Sequence, residues 1–365
     1  MKKILIISPY YKEKHRWMVS TYKYAENLAK HAKIIVFTGR GKNTNPIIRK
    51  KNLKIFGFRD IFIPDPANYG IIPFMYLKLY RLIKQENPDH IIINKHMFHT
   101  ALCSILLKFM GRKFILSTDT FPGYVWWSKS NFVNLIIFIY SRTIGNLALK
   151  LADKVIIFHE GLVKTSKKLK LDYRVIPNGI NFEEIRSHKK VNLRKKRDEL
   201  IIGYVGRLES VKNYQDLVDV AKRFGKNIKF VFIGDISGKE EYVEDNKSEN
   251  IVFLGYKKNV ISYMKDMDIF VLPSKSEGLS NALMEAMATK TACVVSNVGG
   301  NKILVNSDEV GRTFKAGNKK QLYTILNGLI KNKKQRNYLG KNAYSRIKSD
   351  FNWNKISKQI LEELD

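Results

Sequence analysis

Short apolar runs alternate with stretches of helical period along nearly the whole chain. In the first half, runs at 3–8, 33–38, 89–94, 113–118 and 154–158 predict strands, and stretches at 22–31, 74–85 and 100–110 predict helices. The order then returns, with strands at 200–205, 228–233, 251–253, 269–272 and 292–296. Strands alternating with helices of this length imply βαβ units and parallel sheets. Ile176-Pro177-Asn178-Gly179, followed by a basic run from Lys189 to Arg197, marks the boundary between the two sets. The expected fold class is therefore α/β: two doubly wound, Rossmann-like domains at 1–180 and 181–344, facing a central cleft at their strand C-termini.

One stretch breaks the alternation. Residues 121–150 carry Tyr124, Trp126 and Trp127, then an apolar run from Phe132 to Tyr140, bounded by Lys129, Arg142 and Lys150. The run falls short of the roughly 20 residues that span a bilayer. Two readings fit it: a helix buried in the first domain, or a helix lying in a membrane interface with aromatics at headgroup level and a basic flank.

Composition sharpens that choice. With 365 residues, 44% apolar and 12% aromatic, the chain can pack two cores and is not disordered. Cys103 and Cys293 fall in apolar elements with nothing to pair them, and Met1-Lys2-Lys3 runs straight into a strand, so a reduced, cytoplasmic setting is expected. The net charge of +32 is uneven. Residues 1–197 hold 38 Lys and Arg against 12 Asp and Glu, leaving +26, whereas residues 198–365 hold 27 against 21, leaving +6. Solvated lysines account for part of the total. The asymmetry implies a polyanionic partner for the first domain, either nucleic acid or an anionic membrane surface.

The second domain carries the densest candidate chemistry. Gly206-Arg207-Leu208 ends its first strand and is followed by Lys212-Asn213; Ser274 to Ala288 contains Glu277-Gly278-Leu279-Ser280-Asn281 and Glu285; Gly299-Gly300 follows the next strand. Glu277-Gly278 lies between a buried strand and an amphipathic helix that Ser280 or Asn281 caps. Gly278 lets backbone approach a ligand, and the first-turn N–H groups favour an anion. Glu285 returns to the face of the helix start. Two cations beside a helix N-terminus suit a diphosphate, and two carboxylates suit sugar hydroxyls, so the cluster reads as a nucleotide-sugar site.

These motifs resemble glycosyltransferase family four, the retaining, GT-B-fold group 1 glycosyl transferases. Ser-x-x-Glu-Gly-Leu-Ser-Asn-x-Leu-Met-Glu-Ala-Met-Ala resembles the family's donor signature, and Gly-Arg-Leu-x-x-x-Lys-Asn at 206–213 its diphosphate motif. Residues 175–180 resemble its interdomain hinge, and 351–363 its C-terminal helix, which crosses back so that about 345–365 joins the first domain. The resemblance implies Arg207 and Lys212 on the donor diphosphate, Glu277 beside the donor sugar, Glu285 on the ribose hydroxyls, and backbone at Gly278, Leu279, Ser280 and Asn281 on phosphate and sugar oxygens. It also implies no metal and no cofactor, the cations taking the place of Mg²⁺.

The first domain departs from the family pattern. Where relatives often carry Gly-Gly after the first strand, Pro9-Tyr10-Tyr11 leads into Lys14-His15-Arg16-Trp17, which suits either an acceptor phosphate or a solvated loop. At the end of the strand over 113–118, where the family frequently has a histidine, stands Asp119, expected to contact sugar or position the acceptor hydroxyl. His96 and His99 are alternatives, and Trp126 and Trp127 are further acceptor-side candidates. After Gly299-Gly300, Lys302 and Ile303 replace a proline and an acidic residue, so no donor contact carries over from that loop. Asp266-Met267-Asp268 matches a metal-binding Asp-x-Asp pattern, but it enters a strand at its N-terminal end, away from the ligand edge.

The implied protein is a glycosyltransferase, cytoplasmic and peripheral at the membrane face. It moves a sugar from a UDP- or GDP-linked donor to a lipid-linked or glycan acceptor with retention, in cell-envelope polysaccharide or glycoconjugate synthesis. A nucleotide-sugar 2-epimerase is the alternative within the fold, and a basic nucleic-acid-binding protein the alternative outside it. The latter would leave the paired glutamates without a purpose.

Overall fold

Strands apolar on both faces must be covered on both faces, which a parallel sheet between helical layers provides. The structure is a computed structural model that describes residues 1–10, 19–39, 47–63, 69–96, 98–125, 127, 130–194 and 199–365. It divides into two units, Met1–Asn178 with Trp353–Asp365, and Gly179–Asn352.

The first unit contains β1 (Lys3–Tyr10), β2 (Lys33–Gly39), β3 (Ile47–Lys50), β4 (Leu53–Phe58), β5 (Ile61–Ile63), β6 (Tyr69–Ile71), β7 (His90–Asn94), β8 (Ile115–Thr118), β9 (Lys154–Ile157) and β10 (Tyr173–Val175). Its helices are α1 (Val19–Leu28), α2 (Met75–Glu86), α3 (Phe98–Phe109), α4 (Asn131–Arg142), α5 (Ile144–Leu151) and α6 (Val163–Lys168). The sheet runs β10-β9-β8-β7-β1-β2-β4-β3, parallel except for β3 against β4, while β5 and β6 pair separately. Alternate residues of β1 sort to the two faces as the strand period requires. Leu5 and Ile7 pack with Leu79 of α2, Leu107 of α3 and Leu149 of α5. Ile4 and Ile6 pack with Tyr24 and Leu28 of α1 and with Trp353, Ile356 and Ile360.

The second unit contains β11 (Leu200–Val205), β12 (Ile228–Ile233), β13 (Ile251–Gly255), β14 (Ile269–Leu272), β15 (Ala292–Ser296) and β16 (Arg312–Phe314). They form an all-parallel sheet in the order β13-β12-β11-β14-β15-β16. Its helices are α7 (Phe182–Ser187), α8 (Tyr214–Ala221), α9 (Glu240–Asn246), α10 (Val260–Met264), α11 (Asn281–Ala288), α12 (Asn301–Leu304), α13 (Lys319–Lys331) and α14 (Lys333–Asp350). The chain then returns to the first unit as α15 (Trp353–Glu362). Trp353 meets the Tyr24 ring edge-on at 5.8 Å, and Glu363 bonds Lys154 at 2.5 Å and Arg174 at 3.3 Å.

The 121–150 stretch fits neither expectation whole. It folds as α4 and α5, broken at Thr143 (φ −111°, ψ −103°). Ile137, Tyr140 and Ser141 are buried while Phe132 and Ile139 of the opposite side are exposed, so the buried-helix reading holds for one face only.

Candidate functional site

In the second unit the strand order reverses between β11 and β14, because β12 lies on one side of β11 and β14 on the other. Ligands of such sheets bind at the strand C-termini beside that switch point. The loops leaving these two strands are joined there, Lys275 N–H donating to the Val211 carbonyl at 2.8 Å. This brings Lys212 to Glu277: Nζ donates to Oε1 at 2.7 Å, and the Ser274 hydroxyl donates to the same oxygen at 2.7 Å. The Glu277 side chain is nearly enclosed (7% exposed) and that of Lys212 largely so (18%). Arg207 stands apart. Its guanidinium is half exposed and paired with Glu209 at 2.6 Å.

The Ser274–Gly300 region is built around that carboxylate. Gly299 (φ +42°) and Gly300 pack on the 277–279 backbone: a Cβ at Gly299 would lie 1.9 Å from the Glu277 carbonyl oxygen, and one at Gly300 2.2 Å from that of Gly278. The Gly300 N–H donates to the Glu277 carbonyl at 3.1 Å. The glycine pair therefore holds the loop that presents Glu277. A Cβ at Gly278 would meet nothing within 4 Å, so bare backbone faces open space there. Ser280, rather than Asn281, is the N-cap of α11, accepting from the Leu283 N–H at 3.4 Å. Leu279 is half-buried beside it, and Glu285 is buried in the second turn of α11.

Asp266 and Asp268 do other work. Asp266 accepts from the Leu193 N–H at 2.6 Å and pairs with Lys190 at 2.8 Å and Arg194 at 2.5 Å. Asp268 pairs with Arg194 at 2.6 Å and accepts from the Ile201 N–H at 2.9 Å. These contacts tie the basic run to the N-terminal ends of β11 and β14. Among the described residues no three His, Cys, Asp or Glu side chains group as metal ligands.

In the first unit, β7, β8 and β9 are neighbours, and their C-terminal ends bring three side chains together. Asp119, following β8, is ion-paired with Lys95, following β7, and the ring Nε2–H of His159, following β9, donates to the Asp119 carbonyl at 3.1 Å. Lys95 is buried and strained into positive φ (81°), a geometry a non-glycine residue keeps only when its surroundings hold it. Its carbonyl accepts from the Thr100 hydroxyl at 2.7 Å. Burial alone would raise the Asp119 carboxyl pKa; the charge and hydrogen bond of Lys95 outweigh it and hold the carboxyl below its ordinary value. Burial lowers the pKa of His159, against the opposing pull of Asp119 and Glu160.

The structure removes His96 from the acceptor-side candidates. It is 1% exposed, with its Nε2–H on the Gly145 carbonyl at 2.9 Å and its ring against Tyr140, so it fastens α5 to the sheet. Burial pushes its pKa down to about 4. Between about 6.5 and 4 the unfolded chain binds a proton that the folded chain refuses, so stability falls with pH there, by up to about 3 kcal/mol. His96→Gln, which retains an N–H for Gly145, should lose less stability between neutral pH and pH about 4.5 in denaturant titrations. An equal loss in variant and wild type would contradict the role given to His96.

Arg16, Trp17 and Trp126 lie outside the described residues, as does the side chain of His99, whose backbone is in α3. Trp127 is 45% exposed. Sequence reasoning missed Lys95 and His159, and gave Ser274 no role. All three sit one or two residues beyond a buried parallel strand, and that position was the available signal.

Residues 19–184 match the family model described as Glycosyltransferase Family 4, and residues 185–346 the one described as Glycosyl transferases group 1. The chain is 29% identical over 322 residues to the UDP-Gal:alpha-D-GlcNAc-diphosphoundecaprenol alpha-1,3-galactosyltransferase of Escherichia coli, covering 80% of each. It is 26% identical over 314 residues to the capsular polysaccharide biosynthesis glycosyltransferase CapM of Staphylococcus aureus, covering 79% of this chain and 78% of that one. Among solved structures, sucrose-phosphate synthase from Thermosynechococcus elongatus aligns at TM-score 0.77 and 18% identity, over 99% of this chain and 98% of the other. HepE of Anabaena in complex with UDP aligns at TM-score 0.74 and 18% identity, over 100% and 99%. At such identities these two matches establish the GT-B fold.

Proposed function

The chain belongs to glycosyltransferase family 4 and is a glycosyltransferase; from that premise we propose that it transfers a sugar, with retention, from a UDP- or GDP-linked donor to a lipid-linked glycan in envelope polysaccharide synthesis. The observation that carries the donor half is Lys212 fixed on Glu277, beside the capped N-terminus of α11 at the switch point of the second sheet. The names of the Escherichia coli and Staphylococcus aureus relatives, one acting on a diphosphoundecaprenol-linked sugar, support the acceptor class and pathway.

In this reading the donor's C1–O bond to phosphate breaks while the acceptor oxygen bonds C1 on the same face. The acceptor proton leaves with the departing diphosphate. Lys212 neutralises the charge that grows on that group, with Arg207 joining once it exchanges Glu209 for phosphate; both replace a metal. Glu277 orients Lys212 and the donor sugar, and Glu285 accepts from ribose hydroxyls. Asp119, kept ionised by Lys95, receives the acceptor hydroxyl. The lipid-linked acceptor sets the work at the cytoplasmic membrane face.

The test is transfer from UDP- and GDP-sugars to a polyprenyl-diphosphate-linked sugar, with product anomers assigned by NMR and chelator in a parallel reaction. Formation of the α-linked product from an α-linked donor, undiminished by chelator, is expected. Isomerisation of donor without acceptor would instead establish the epimerase alternative, and inversion or chelator sensitivity would overturn the stated mechanism.

A further inference from the structure

We propose that the outer surface of the α2–α3–α5–α4 layer of the first unit docks on an anionic lipid bilayer, with α4 lying in the plane of the interface. The proposal deepens the lipid-linked reading of the acceptor by naming the surface that meets the membrane.

On α4, Phe132, Leu135, Ile136 and Ile139 are 72%, 56%, 41% and 54% exposed. Their spacing of three and four residues places them in one stripe. The opposite side is committed to the protein, since Ile137, Tyr140 and Ser141 are buried. The stripe does not end with α4. The four helices are neighbours in series, α2 on α3, α3 on α5, α5 on α4, and three of them pack on the same sheet face through Leu79, Leu107 and Leu149. Phe74 and Leu77 at α2, Phe109 at the end of α3 and Leu147 on α5 are exposed as well. One helical layer thus presents apolar side chains along its length, which scattered surface hydrophobics do not do.

Charge selects the occupant. Arg81 and Lys84 on α2, Arg142 on α4 and Lys150 on α5 are exposed, while Lys108 on α3 is ion-paired with Asp153 at 3.1 Å. The same four helices contain one acidic residue, Glu86, and it is ion-paired with Lys54. A second copy of this chain would set these cations against each other. A layer of anionic headgroups complements them, and apolar side chains rimmed by cations are what an interfacial helix requires. The Arg142 guanidinium already lies over the rings of Tyr124 at 4.2 Å and Phe138 at 4.9 Å, keeping charge and aromatic surface together at the end of α4.

A bilayer crossing is the wrong geometry. Asn131–Leu151, 21 residues, has the length and composition to cross, but it is broken at Thr143. Threading it through lipid would also strip Tyr140, Ala148 and Leu149 from the positions they fill in the unit. Lying flat exposes the stripe to acyl chains and leaves those contacts intact.

The test is co-flotation of the full chain with phosphatidylcholine vesicles, with and without phosphatidylglycerol. Wild type should float with the anionic vesicles and dissociate from them in high salt. The combined Phe132→Asp, Leu135→Asp and Ile139→Asp variant should bind at least about tenfold more weakly, with its thermal melting and its donor turnover in solution unchanged. Should that variant fail to fold, Arg81→Gln with Lys84→Gln must lower binding to anionic vesicles several-fold. Flotation of the folded triple variant like wild type, no flotation of wild type, or a wild-type dimer that the triple variant dissolves would each overturn the proposal. Flotation as described without donor turnover would leave the docking surface standing and count against the transferase reading instead.

Discussion

Lys212→Met should lower kcat about 10²–10³-fold at saturating donor, the size of loss seen when one preorganised charge-stabilising group is removed. Lys212 does not reach its place by its own flexibility. Glu277 accepts its Nζ at 2.7 Å, Ser274 holds the same carboxylate oxygen at 2.7 Å, and Gly299-Gly300 packs against the backbone that carries it. A cation held in place before the reaction stabilises the phosphate charge as it grows, so kcat should fall more than donor KM rises. Glu277→Gln should show a smaller kcat loss, because Lys212 then loses its anchor but keeps its charge. Asp268→Asn is the contrasting variant. It loosens Arg194 at the opposite end of β14 and should lower melting temperature while leaving kcat near wild type. Steady-state kinetics on the three variants decide this; a Lys212→Met enzyme within about twofold of wild type in kcat would remove Lys212 from the proposed chemistry.

The second large effect is expected at Lys95. Lys95→Met should lower kcat by about 10²-fold, as a misplaced catalytic group does, and move the acid limb of the pH–rate profile to higher pH. The groups facing Asp119 are Lys95, His159 and, beyond His159, Glu160. Lys95 is the one whose charge holds the carboxyl below its ordinary value against burial. Without it the carboxyl protonates at higher pH, so activity that needs the carboxylate fails sooner as pH falls. Lys95→Arg keeps the charge and should recover much of the pH profile even where reach differs. A purely structural role would lower stability without moving the limb, and an unmoved limb in Lys95→Met would sink the assignment.

The arrangement of the proposed donor cluster was legible in sequence because it is local. Ser274 to Gly300 holds the loop that leaves β14, one helix and the following strand, and Glu277, Ser280 and Glu285 take positions that the capping signal and helical spacing dictate. Asp266 and Asp268 were legible for the same reason, since a residue just before a parallel strand falls at the edge opposite the ligand. The Lys95–Asp119 pair was not, because it depends on β7 and β8 lying side by side, a pairing between segments 24 residues apart. His96 failed as a candidate on burial, which a lone histidine after an apolar strand does not announce. Strands β4, β10 and β16 were missed as well: Lys54 and Arg174 interrupt, and Arg312 begins, runs only three to six residues long. The 121–150 stretch could not be sorted by hydrophobicity alone, because both of its faces are apolar and only packing decides which one the protein covers.

The proposed nucleotide-sugar donor site rests on Lys212, Glu277 and Glu285. The most direct measurement is acceptor-free turnover across UDP-, GDP- and ADP-sugars, run for wild type beside Glu285→Ala. One nucleotide class should be hydrolysed slowly by wild type, with donor KM raised at least about tenfold in Glu285→Ala through loss of the charge-assisted ribose contact. No turnover or binding of any nucleotide sugar by the folded wild-type protein, or donor kinetics indifferent to Glu285, would contradict it.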